Sequence, residues 1–145
     1  MKNKTKIVYF VLMLVMTISG FGQMPIFKRY YVADLPGLGW TANFIVTHYL
    51  HYLGAIALIC FFSYQIAVYL LKNKDKPKLT SFALIRVLII TILILSGLLK
   101  VIVNLKGFHF ASNYIIILDI VHTSFTFLFL FFSLFAVVFK KKWID

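Results

Sequence analysis

A chain of 145 residues that is 62% hydrophobic and only 13% charged is not an ordinary water-soluble domain. Its net charge of +11 invites a nucleic-acid partner, but the cations sit in short groups at the ends of apolar runs, which argues against nucleic acid. Four apolar segments each approach the ~20 residues that a helix needs to cross a bilayer. The expected fold is all-α: one membrane domain over 1–145, a four-transmembrane-helix bundle running up-down-up-down in contact with membrane lipid.

Charge placement sets the expected topology. Lys2, Lys4 and Lys6 precede the first span, Lys72, Lys74, Lys76 and Lys78 separate the second and third, and Lys140, Lys141 and Lys142 follow the fourth. If the spans alternate, all of these lie on one side. Lys28, Arg29, Lys100 and Lys106 fall on the other, and Arg86 lies just inside the third span on the lysine-rich side. The positive-inside rule then puts both termini in the cytoplasm, and the lysines are also placed to attract anionic lipid.

In chain order, the first span covers about 7–22. Its basic start, apolar middle and Ser19-Gly20-Phe21-Gly22 end resemble a secretory signal peptide. No A-x-A-like cleavage site appears, so the segment reads as a retained span, with a cleaved signal peptide as the alternative. The outer connection 23–40 contains Pro36-Gly37, a turn signal. Tyr30, Tyr31 and Trp40 suit an interfacial aromatic belt. This segment reads either as a cap over the bundle mouth or as a docking surface for an outer-face partner. The second span, 43–71, carries His48 and His51 near its outer end, with Gly54 about one turn further in. Without a side chain, Gly54 would let a flat group or a neighbouring helix approach. The third span, 82–103, contains Ser96-Gly97, with Lys100 one turn outward. A tight connection with Lys106 and His109 leads to the fourth span, 114–139, where Asp119 and His122 share a face. No internal repeat stands out. The lone cysteine, Cys60, permits no intrachain disulfide or thiolate cluster.

The histidines carry the chemistry. An imidazole in hydrocarbon is costly without a partner, so an intramembrane histidine points to function. The second and fourth spans run in the same direction, and His48, His51 and His122 lie roughly 8–12 Å below the outer starts of their helices. Matched depth on parallel helices suits a haem held by one imidazole from each side. Gly54 and Gly97, with Gly20, would make room for a porphyrin. Lys100, Lys106, Lys28 and Arg29 form a cationic rim for its propionates. Asp119 is either a partner behind a ligand or a packing group. His109 is placed to meet a propionate or quinone, or to sit as a plain interfacial histidine. A histidine quartet binding zinc or copper is a competing arrangement. There is no H-E-x-x-H pattern, Gly-rich phosphate loop or paired carboxylate, and the chain has no Glu.

Four stretches carry a family resemblance. These are Ile18-Ser19-Gly20, Leu50-His51-Tyr52-Leu53-Gly54-Ala55-Ile56-Ala57, Leu95-Ser96-Gly97-Leu98 and Ile120-Val121-His122-Thr123. Together they resemble the small cytochrome b subunit of membrane-bound formate dehydrogenases and nickel–iron hydrogenases. The resemblance implies four helices with b haems on histidine pairs, and makes His51 and His122 the axial ligands of an outer haem. His48 remains an alternative to His51. An inner haem would need a second histidine about 14 residues deeper on the fourth helix, where Ala136 stands, and one on the first helix, which has none. The expectation is therefore one haem b per chain.

The functional expectation is a non-catalytic electron-transfer subunit of a respiratory complex in a bacterial inner membrane. Electrons would pass between an outer-face iron–sulfur or c-type cytochrome subunit and a quinone. The competing expectation is a haem-free membrane anchor or assembly subunit. A weaker one is a metal or proton pathway through Asp119 and the histidines.

Overall fold

In a computed structural model describing residues 3–24, 31–72 and 78–143, the chain is all-α. Its long helices are α1 Asn3–Gly22, α2 Phe44–Lys72, α3 Ser81–Val103 and α4 Ser112–Val138. No strand occurs among the described residues. All four helices are long and apolar enough to cross a membrane. Lys28, Arg29, Tyr30, Lys2, Lys74 and Lys76 lie outside the described residues.

The helix ends follow local chemistry. Asn43 begins α2, its side-chain oxygen accepting from the backbone N–H of Ile45 at 3.0 Å and Val46 at 3.3 Å. Thr80 begins α3 by accepting from the Ala83 N–H at 3.0 Å. Its hydroxyl donates to the Lys142 carbonyl, and its own N–H to the Trp143 carbonyl at 3.2 Å. The tail beyond α4 is thus latched to the start of α3. That return is possible because Lys140 adopts φ 48° and the Lys141 N–H reaches back to the Ala136 carbonyl, a left-handed helix stop usually made by glycine. Trp143 then covers the guanidinium of Arg86, 4.2 Å from the ring centre, a contact worth about 0.5–2 kcal/mol.

The chain forms two compact units, Met1–Lys72 and Asn73–Asp145. Each is an antiparallel helical hairpin. In the first, Tyr9 near the start of α1 meets Phe61 and Phe62 of α2, while Ser19 near the end of α1 meets His51 near the start of α2. In the second, Phe82 of α3 packs on Phe132 and Phe135 of α4, and Ser96 meets His122.

Burial is inverted relative to a soluble protein. Among the described residues the largest fully buried side chains are Thr41, Thr47 and Ser19, all small and polar. Large apolar side chains such as Phe10, Ile56, Leu88 and Val137 face outward. Apolar surface on this scale would be untenable in water and belongs in lipid. The chain is a multi-pass integral membrane protein. Small residues inside the hairpins let the backbones approach, as membrane helix pairs require.

The outer connection is built as its sequence suggests. The Leu38 N–H bonds to the Leu35 carbonyl at 3.0 Å with Gly37 at φ 84°, so Pro36-Gly37 makes a type II turn. Short 3-10 turns flank it at Val32–Asp34 and Gly39–Ala42. Tyr31 is exposed, and Thr41 is buried beside the end of α1.

Candidate functional site: two matched histidine seats

Each hairpin holds one half-buried histidine against a Ser-Gly pair. In the first unit, His51 Nδ1 lies 3.1 Å from Ser19 Oγ. A Cβ built on Gly20 would stand 3.1 Å from His51 Cε1. In the second unit, His122 Nδ1 lies 2.9 Å from Ser96 Oγ, and a Cβ on Gly97 would stand 3.4 Å from His122 Cε1. The serine therefore holds the ring through one nitrogen, and the glycine after it leaves space for the adjacent ring carbon.

The correspondence extends one turn outward. Four residues after Ser19 stands Gln23, and four after Ser96 stands Lys100. Three residues before His51 stands His48, and three before His122 stands Asp119. These outer positions also pair. Gln23 Oε1 lies 3.3 Å from His48 Nδ1, and Lys100 Nζ lies 2.9 Å from Asp119 Oδ1. Both hairpins thus present the same arrangement: a Ser-Gly pair on one helix with a polar residue four places after the serine, facing a polar residue and a histidine on the next. The chain contains an internal repeat after all. It is carried by spaced polar positions, with almost no identity in the lipid-facing residues between them.

The expected site residues now have places. His51 and His122 occupy equivalent seats. His48 occupies the position equivalent to Asp119, with its ring stacked on Phe44 at 5.2 Å and tilted against Tyr52 at 4.3 Å. Gly97 seats His122. Gly54 instead admits Met16 of α1, whose Sδ would lie 2.8 Å from an added Cβ, so helix approach uses its missing side chain. Lys100 is engaged with Asp119, the two side chains 38% and 54% exposed. His109 lies exposed in the α3–α4 connection, as does Lys106. Counted from the first residue of its own helix, His51 lies about 10 Å along α2 and His122 about 15 Å along α4. The second value is larger than expected because α4 begins at Ser112.

Ser19, Ser96 and Gln23 are the residues that sequence reasoning did not assign to the histidines. The available signal was the recurrence of Ser-Gly with a polar residue four places after the serine, each on a helix followed by a polar-x-x-His pattern. Among the described residues, no three His, Cys, Asp or Glu side chains gather as a metal cluster. A shallow apolar groove of about 290 Å³ runs beside Ser96 between α3 and α4, with Tyr114 along its lining. No protein-family model, curated protein or solved structure matches the chain.

Proposed function

We propose that the chain is a membrane electron carrier holding one haem b, with His51 and His122 as the axial ligands. The observation that supports this is the twinning of the two seats. Each hairpin separately draws one histidine into an apolar helix pair, bonds it through Nδ1, and omits the side chain that would crowd its ring. A histidine kept for packing alone needs no such counterpart in the other hairpin. Twinning also favours His51 over His48, because His51 is the residue equivalent to His122.

The donor set fits haem iron: two imidazoles in equivalent seats, with no thiolate beside either. When bound, haem would supply one-electron chemistry. The chain's own residues supply the rest. His51 and His122 would hold the iron, Ser19 and Ser96 would orient the rings, and the outward apolar side chains hold the protein in lipid. Lys106, Lys28 and Arg29 would attract the propionates. Lys100 would contribute less, because Asp119 already neutralises it. Quinone and an outer-face iron–sulfur or c-type cytochrome subunit are the proposed redox partners, in a bacterial inner membrane.

The test is a dithionite-reduced minus oxidised visible spectrum of protein made with ample haem supply, with haem quantified per chain. The expected result is a b-type spectrum at about one haem per chain (one histidine pair), abolished in His51→Ala and in His122→Ala and retained in His109→Ala. Absence of haem from the wild-type protein would overturn the proposal and leave a haem-free anchor as the reading.

A further inference from the structure

We infer that Ser19 and Ser96 are positioning residues that lock both ligand histidines into the same tautomer, with the proton on Nδ1 and the lone pair on Nε2. The inference rests on the haem reading for its purpose, but the tautomer itself is a property of the chain alone.

A serine hydroxyl has one proton and two lone pairs. Each of these serines sits within a helix and has a carbonyl three residues back. Ser96 Oγ lies 3.1 Å from the Leu93 carbonyl oxygen, and Ser19 Oγ lies 3.4 Å from that of Met16. A carbonyl only accepts, so at Ser96 the serine proton goes to it, and at Ser19, where the contact is longer, the same assignment follows from the equivalence of the two seats. The same Oγ then meets the imidazole with a lone pair, and the ring nitrogen opposite must be the donor. Nδ1 therefore carries hydrogen at His51 and at His122, and in the neutral ring the lone pair falls on Nε2. Free histidine in water prefers the opposite tautomer, with hydrogen on Nε2. The serines reverse that preference twice, at equivalent positions.

Two consequences follow for a metal on these rings. A bond from Nδ1–H to an acceptor makes the imidazole a stronger electron donor. That favours the ferric over the ferrous state and lowers the midpoint potential. The absent glycine side chain leaves room for Cε1, the ring atom next to Nδ1, where an added Cβ would stand 3.1 Å from it at Gly20 and 3.4 Å at Gly97. Serine at one position thus holds the ring through Nδ1, and glycine at the next leaves the space the ring needs. Alanine in place of serine removes that hydrogen bond from Nδ1.

Two readouts test this on the full-length protein. The first needs no haem. Histidine labelled with ¹⁵N is followed by NMR in haem-free protein in lipid nanodiscs, and the signals are assigned with His51→Gln and His122→Gln. Both histidines should show protonated Nδ1 and unprotonated Nε2. Ser19→Ala should return His51, and Ser96→Ala should return His122, toward the Nε2–H form. Ser19→Thr and Ser96→Thr, which keep the hydroxyl and guard against simple misfolding, should retain the wild-type pattern. Finding Nε2–H in the wild type, or no change in either alanine variant, would overturn the inference. The second readout is the midpoint potential of the haem-loaded protein. It should shift upward in each alanine variant at unchanged haem content, and return to the wild-type value with threonine. An unchanged potential in both alanine variants would overturn the proposed tuning. Failure of the wild type to bind haem would sink the functional reading, whereas the NMR result decides the tautomer independently.

Discussion

Adding one methyl group at Gly20 tests how tightly the histidine seats are built. In Gly20→Ala the new Cβ would stand 3.1 Å from His51 Cε1, inside the ~3.5–4.0 Å at which carbon atoms rest. The ring must yield by a few tenths of an ångström. Its bond to Ser19 is already 3.1 Å, near the long end of the useful range, so the same movement weakens that bond. Overpacking of this kind costs about 1–3 kcal/mol, and loss of the hydrogen bond adds up to about 1.5 kcal/mol. Taking ~2 kcal/mol against the haem-competent ring position, haem affinity should fall about 30-fold. Gly97→Ala is the internal control, because its Cβ would meet His122 Cε1 at 3.4 Å, an ordinary contact, and affinity there should stay within about 3-fold. The assay is haem titration into haem-free protein in nanodiscs, read at the Soret band, with helicity checked by circular dichroism. Equal losses in the two variants, or a larger loss in Gly97→Ala, would refute the reasoning.

Other predictions concern the scaffold around the seats. Gly22→Ala should destabilise the first hairpin by about 1–3 kcal/mol, because its Cβ would lie 2.7 Å from Cγ2 of Thr47, a stiff side chain with 0% exposure. Gly54→Ala should cost less, since the flexible Met16 side chain can move away; denaturant titration in detergent compares the two. Thr80→Ala removes the α3 cap and the side-chain bond of the latch to the C-terminal tail, leaving the backbone bond to Trp143, and should cost about 1–2 kcal/mol with faster proteolysis of that tail. Asp119→Asn breaks an ion pair whose partners are 38% and 54% exposed, so stability should change by less than about 1 kcal/mol. It also removes an anion one turn from His122, so the midpoint potential of bound haem should rise; a fall would count against His122 as a ligand.

The helices were the most legible part of the sequence, because composition and length decide a membrane span almost alone. Helix ends moved by a few residues where local chemistry intervened. Lysines near the N-terminus continue α1 because lysine is a good helix former, and Ser112 opens α4 two residues before the apolar run begins. The tail latch was not legible, since its stop is a left-handed lysine where a glycine would have been the signal. His51 and His122 were visible as costly residues in lipid. Their serine partners were not, because a serine in a membrane helix usually bonds only its own backbone. The repeat stayed hidden for a related reason. Lipid-facing positions accept any large apolar residue, so the two copies share only the few inward positions that pair. Those positions also differ in chemistry, amide with imidazole in one copy and ammonium with carboxylate in the other.

The central claim, two imidazoles on one iron, is tested most directly by low-temperature electron paramagnetic resonance of the oxidised, haem-loaded protein. A low-spin ferric signal of bis-imidazole type is expected in the wild type and in His48→Ala. Conversion to a high-spin signal, or loss of haem, is expected in His51→Ala and His122→Ala. A high-spin signal in the wild type, or a low-spin signal surviving either of those two substitutions, would contradict the claim.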